Sequence, residues 1–300
     1  MQPTLFGITS NPDFSRSFAF PADTRPNPDL EIPNFVSRLF NFWYNGVSYT
    51  HVVAKSEGAL KAYDENPQRF LLFNLKQRFY VGDEVYTVWF PPENLLKRAG
   101  LVNYFGQTNP KTFKGGEDII KIKVTSGDHL FVDRLTYNFR RPQRGEIIVF
   151  ETKGIAALPQ DQFYIKRLVG MDGEHVRIGN DRHLIINDRR LDAATPHFEN
   201  VYSFDPAQPP RESTYSGHVN EFVARENGMS GLAPLFPDEG HTFTVQPHHN
   251  IVMGDNTVNS SDSRSWGDFP RENVIGRSFL VYWPIGAQNG RASRFGWNHR

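Results

Sequence analysis

Cysteine is absent from all 300 residues. Its absence excludes disulfides, thiolate nucleophiles and cysteine-ligated zinc, and it fits either the cytoplasm or an exported domain that folds without staples. Long apolar runs are lacking as well. The most apolar stretches, 147–150 and 279–285, have the length of strands, far short of the ~18–20 residues that span a bilayer. No charged-then-apolar leader opens the sequence. Neither charge is in excess: Lys+Arg and Asp+Glu each total 33. Nothing basic therefore points to nucleic acid, and nothing acidic to a solvating tail. His-Glu-x-x-His and similar ligand spacings do not occur, nor does a glycine-rich phosphate loop, so no metal and no cofactor is expected.

What is present is aromatic and turn-rich: 25 Phe, 11 Tyr, 24 Gly and 21 Pro. That composition suits many short strands joined by tight turns. Residues 6–34 are rich in Pro, Asn, Asp and Ser and read as irregular. In "PNFVSRLFNFWYNG", Phe35, Val36, Leu39, Phe40 and Trp43 stand at helical spacing, with Pro33 near the start and Gly46 as a stop. "PPENLLKRAG" predicts a second, short helix. From residue 117 onward short β segments dominate. "EHVRIGNDRHLIINDRRL" predicts a hairpin, with Val176 and Ile178 alternating before an Asn180-Asp181 turn and Leu184 and Ile186 after it. Residues 195–240 are loop-rich, with one helix at "HVNEFVAREN". The fold class is mainly β with few helices.

Two segments offer chemistry. In "YIKRLVGMDGEH", Lys166 interrupts an apolar strand pattern. It either faces solvent on an edge strand or is desolvated, which lowers a lysine pKa and makes the amine a general base. In "GDNTVNSSDSRSWG", residues 254–267, small polar side chains crowd together after an apolar run. They form either a self-bonded turn or a network that orients a catalytic group.

Read in order with Met1-Gln2-Pro3-Thr4-Leu5, these segments resemble signal peptidase I, the membrane-anchored Ser/Lys endopeptidase that removes leader peptides from exported proteins. The resemblance spans most of 117–284. In that family the nucleophilic serine directly precedes Met-x-Pro-Thr-Leu. A Gly-Asp then opens an apolar strand, matched by Gly127 and Asp128, and "RGEIIVF" resembles the next strand. The general-base box falls on "YIKRLVGMDGEHV". The last box, Gly-Asp-Asn-x-x-Asn-Ser-x-Asp-Ser-Arg, is matched by Gly254, Asp255, Asn256, Ser260, Asp262 and Arg264. The resemblance implies Lys166 as general base, Ser260 as the group that orients it, and ion pairs Asp255–Arg167 and Asp262–Arg264. It implies an extended substrate peptide beside Phe163, Tyr164 and Ile165, with small Ala-x-Ala-like residues before the cut. It also implies a signal-peptidase-like β barrel enlarged by a β-rich α+β insertion. Its expected partners are signal peptides of exported pre-proteins and a membrane surface, at the outer face of a bacterial cytoplasmic membrane. No cofactor and no nucleic acid are implied.

On that reading residues 1–5 are the remnant of the nucleophile motif. An insertion occupies 6–126, the catalytic β core 117–284 with a smaller insertion at 195–240, and a tail 285–300. Four departures from the family stand out. The serine and the anchor would lie before Met1, so the reading frame is expected to extend upstream with Met1 internal; Ser126 is too close to Gly127 to replace that serine. The gap from Leu5 to Gly127 is far longer than usual. Its aromatic stretch 35–44 either lies at a bilayer surface or packs the insertion's own core. Thr257-Val258 stands where Arg-Asp is common, so one ion-pair partner is lost. The alternatives are a catalytically inactive peptide-binding remnant of the same fold, and a Ser/Lys peptidase of the self-cleaving SOS-repressor class, against which the 254–264 box argues.

Overall fold

Residues 163–171 mix aromatic, aliphatic and basic side chains in a run that suits a pleated central strand. In the computed structural model, which describes residues 4–5, 7–14, 29–70, 73–287 and 292–297, they form the strand Phe163–Met171. It pairs antiparallel with Ile147–Glu151 on one side and His249–Met253 on the other. Val274–Trp283 pairs with Ile147–Glu151. Phe269–Pro270 and His129–Asp133 are the outer strands of this six-stranded sheet. Met1 and Pro3 lie outside the described residues.

The mainly β expectation holds, but barrel closure does not: among the described residues the sheet is open between its two outer strands. One of them, Phe269–Pro270, is two residues long, and Pro270 has no N–H to offer a further strand. Ile148, Phe150, Leu168, Val252 and Phe269 pack on one face of the sheet. Phe150 stacks on Phe269 with centroids 4.4 Å apart. Burial of each such side chain contributes about 1.5–3 kcal/mol. A four-stranded sheet holds the hairpin, in which Val176 faces Ile186 and Ile178 faces Leu184. These four residues share a core with Phe198, Phe236 and Ile251. The short helix Glu221–Glu226 starts at Asn220, whose side chain accepts from the Val223 N–H.

The chain divides into two compact units. The sheets above belong to the first, residues 1–7, 128–282 and 294–300; residues 8–127 and 283–293 form the second. Within the second, Asp118–Thr125 pairs with Val47–Val53 and Thr9–Asn11. Phe73–Val81 pairs with Gly58–Tyr63, Gln68–Phe70 and Glu84–Trp89. Phe79, Leu101, Phe113, Ile120 and Ile122 lie in its core.

The helix Phe35–Asn45 is capped by Asn34, which accepts from Ser37 N–H at 2.9 Å, and is stopped by Gly46 in the left-handed region at φ 65°. None of its residues is buried, so it does not pack the core of its unit. Its orientation reverses the usual amphipathic arrangement. Ser37, Asn41 and Asn45, spaced i, i+4, i+8, are half-buried, whereas Phe35 is 76% exposed and Trp43 64%.

Candidate active site

Lys166 and Arg167 are consecutive on Phe163–Met171, so their side chains leave opposite faces of the strand. Pairing with His249–Met253 begins at Arg167 opposite Met253, which delivers the 254–264 loop to the flank of both residues. The loop meets one on each side. Lys166 Nζ donates to Ser260 Oγ at 2.8 Å. Arg167 forks onto Asp255, with Nε to Oδ1 at 2.8 Å and Nη2 to Oδ2 at 2.7 Å.

Gly254 makes room for the Lys166–Ser260 pair. A Cβ there would collide with Ser260 Oγ and lie 3.6 Å from Lys166 Nζ. Backbone and loop therefore close around the amine. Burial lowers the Lys166 pKa and the Arg264 charge lowers it further, while Asp262 and Asp255 pull the other way. Desolvation wins because neither carboxylate bonds the amine: each is taken up by its own arginine.

The loop is held by a wholly buried ion pair. Arg264 Nε and Nη2 each reach Asp262 at 2.9 Å. Asp262 Oδ2 also accepts from Gly254 N–H, tying the ends of the loop together. Burial raises the Asp262 pKa, but the Arg264 charge and its hydrogen bonds outweigh it and hold the value down at about 2. Asn256 is buried and its side chain accepts from Asn259 N–H. On the other side of the strand, Arg167 Nη1 donates to the carbonyls of Gly145 and His197, so its charge is fully solvated by protein.

The structure brings Thr4 into this arrangement. Its hydroxyl donates to Asp255 Oδ2 and lies 3.0 Å from Tyr215 Oη. Leu5 packs with Ile147, Val281 and Ile165. Asp128 pairs with Arg294 through two bonds of 2.6 and 2.8 Å. Phe163 is exposed, and Tyr164 and Ile165 are half-buried. The far edge of 163–166, opposite Ile147–Glu151, pairs with no described strand, because the His249–Met253 ladder starts only at Arg167.

Sequence reasoning missed four contributors. Thr257 compensates for the absent ion-pair partner: its hydroxyl accepts from Arg264 Nη1 and from Val219 N–H, both at 2.9 Å. Tyr215 and Arg294 sit in loop-rich stretches with no local pattern to announce them. His218 is wholly buried behind the loop, with Nδ1 3.2 Å from Tyr202 Oη. Burial and the Arg264 charge lower its pKa to about 3.

A family model described as "Signal peptidase, peptidase S26" matches residues 120–283. The chain is 31% identical over 159 residues to a probable signal peptidase I-2 of Synechocystis sp., a match covering 53% of this chain and 56% of that protein. It is 30% identical over 212 residues to a signal peptidase I of Pseudomonas fluorescens, covering 63% of this chain and 68% of the relative. A solved signal peptidase I of Enterococcus faecalis V583 is 26% identical, with a TM-score of 0.29, covering 46% of this chain and 97% of that one. The match spans little more than half the length of the Synechocystis relative.

Proposed function

The chain belongs to the signal peptidase family, peptidase S26, and on that premise we propose that it is a serine endopeptidase that cleaves leader peptides from exported pre-proteins, with Lys166 as general base. The observation that carries the reading is the Lys166–Ser260 pair, 2.8 Å apart beside a glycine that leaves space for it. A neutral amine takes the proton of a serine hydroxyl as its oxygen adds to the scissile carbonyl. The resulting ammonium gives that proton to the leaving amine, and the amine then draws a proton from water for deacylation. Ser260 accepts an N–H of Lys166 and fixes the direction of the lone pair. Asp255–Arg167 and Asp262–Arg264 hold the loop from which Ser260 projects.

The substrate would add as a strand along the unpaired edge of 163–166, where backbone groups are free to bond an extended peptide. Phe163, Tyr164 and Ile165 line that edge and favour small residues before the cut. The second partner is a lipid surface at the outer face of a bacterial cytoplasmic membrane. The support is the helix Phe35–Asn45, which turns Phe, Trp and Tyr outward and its asparagines inward. Such rings suit the headgroup boundary of a bilayer. No helix among the described residues is long and apolar enough to cross a membrane.

The test is a protein carrying a serine immediately before Met1, incubated with a pre-protein. Lys166→Ala is expected to lower kcat by roughly 10²–10⁴-fold, the usual contribution of a positioned base. Cleavage that survives the substitution would overturn the Ser/Lys assignment.

A further inference from the structure

The loop-rich stretch 203–216 folds around a cavity of about 280 Å³. That is close to the low end of the ~300–1,000 Å³ range of ligand pockets. Its least exposed charged residue is Arg182, only 5% exposed. The guanidinium lies over the Phe204 ring at 4.3 Å. Its Nη2 donates to the carbonyls of Asp205 and Pro206, both at 3.2 Å. Its other N–H donors have no acceptor among the described residues, and no carboxylate there forms a salt bridge with it. Asp205 acts on it as a countercharge without closing a salt bridge, and the unbonded Nε and Nη1 are not sealed from solvent, so they remain open to an acceptor in the cavity.

A second guanidinium, Arg211, lines the same cavity. It bonds the neutral Gln208 side chain at 3.1 Å and has no carboxylate partner among the described residues either. One carboxylate, Asp205, is also present, with Oδ1 accepting from Ala207 N–H. Two guanidiniums and one carboxylate give the lining a net charge of +1. That balance suits one negative charge better than two. Phe204, Pro209 and Tyr215 supply apolar walls that suit methylene groups.

We infer that this cavity binds a singly charged carboxylate on a short aliphatic stem, with Arg182 as its buried cation and Arg211 at its side. The site adjoins the arrangement described above. Tyr215 lines the cavity, and its hydroxyl is 3.0 Å from Thr4 Oγ1, which donates to Asp255. An occupant therefore touches a residue two hydrogen bonds away from the Asp255 carboxylate. The carboxylate has two possible sources, an acidic side chain of a peptide or a free carboxylic acid.

The test is an NMR titration of the full chain at low ionic strength, using N-acetylglutamate amide, its glutamine analogue, propionate and inorganic phosphate as probes. The glutamate derivative is expected to give saturable shifts at the amides of Tyr215 and Ser216. The glutamine analogue should bind roughly tenfold more weakly or not at all, as should the glutamate derivative to Arg182→Gln. Ser203→Asp adds a negative charge at the exposed rim and should have the same effect while leaving the buried arginine in place. It decides the matter if Arg182→Gln fails to fold. Tighter binding of the glutamate derivative than of propionate assigns a peptide side chain; equal binding assigns a free carboxylate. Binding of phosphate alone, no saturable binding, or shifts that persist unchanged in both variants would overturn the inference.

Discussion

At the residue scale, the general-base role proposed for Lys166 runs against stability. Its folded pKa lies below the ordinary lysine value because burial disfavours the ammonium. Between that lowered value and the unfolded pKa of about 10.4, the folded state holds fewer protons than the unfolded one. Lys166 therefore costs stability at neutral and acid pH, and the cost disappears as pH rises through the unfolded value. Lys166→Met should raise the unfolding free energy at pH 7 by about 1 kcal/mol, and under the proposed function it should abolish cleavage, the trade-off expected of a catalytic group. Urea unfolding at pH 7 and pH 10.5 checks the sign: the gain should shrink at the higher pH. A loss of stability at pH 7 would mean that the bond to Ser260 outweighs desolvation. Lys166, Ser260 and both arginine–aspartate pairs are legible in the sequence because three motifs stand in a fixed order. Thr257 is not. The sequence reads there as a lost charge, and only the fold shows one hydroxyl accepting from both Arg264 and Val219.

At the element scale, period and direction are separate kinds of information. Helical spacing and the Gly46 stop predict the helix Phe35–Asn45, and alternation predicts the 174–191 hairpin. Amphipathicity says that a helix has two faces, but not which one meets the protein. Here Ser37, Asn41 and Asn45 lie on the less exposed side and the rings lie outside. Barrel closure is equally illegible, because it depends on whether two distant outer strands meet, and neither carries that in its own residues. The proposed lipid surface makes this helix testable. Replacing Leu39, Phe40 and Trp43 together by serine should weaken binding to phosphatidylglycerol-containing vesicles by roughly tenfold or more, since each removes apolar area from the interface. Thermal stability should change little, because the side chains removed are exposed. Vesicle co-sedimentation that is unaltered by the triple change would remove the helix from the membrane reading.

At the scale of the whole molecule, equal numbers of acidic and basic groups leave no large net repulsion at neutral pH. The response to acid is instead set by buried groups whose proton affinity changes on folding. His218 is held neutral, with its pKa lowered to about 3 by burial and by Arg264, against about 6.5 in an unfolded chain. Between those values the unfolded state binds one more proton, so stability falls as pH falls, by roughly 1.4 kcal/mol per pH unit. His183, lowered by burial as well, acts in the same direction. A second loss follows at lower pH. Asp262 is held at about 2 and Asp255 is also lowered, burial there being outweighed by Arg167. Their contribution is complete above the unfolded aspartate value of about 3.9 and is lost as pH falls through the folded values. The decline in stability should therefore begin near pH 6.5, well above any carboxylate. His218→Asn keeps a polar atom within reach of Tyr202 and removes the titrating group. It should flatten the curve between pH 6.5 and pH 4 by about one proton, leaving the carboxylate-driven loss below pH 4 in place. Urea unfolding across this range, read by hydrogen exchange in the strand Phe163–Met171, measures both slopes. Equal slopes in the two proteins would mean that His218 is not held neutral by the fold, and acid sensitivity would then have to come from His183 and the carboxylates.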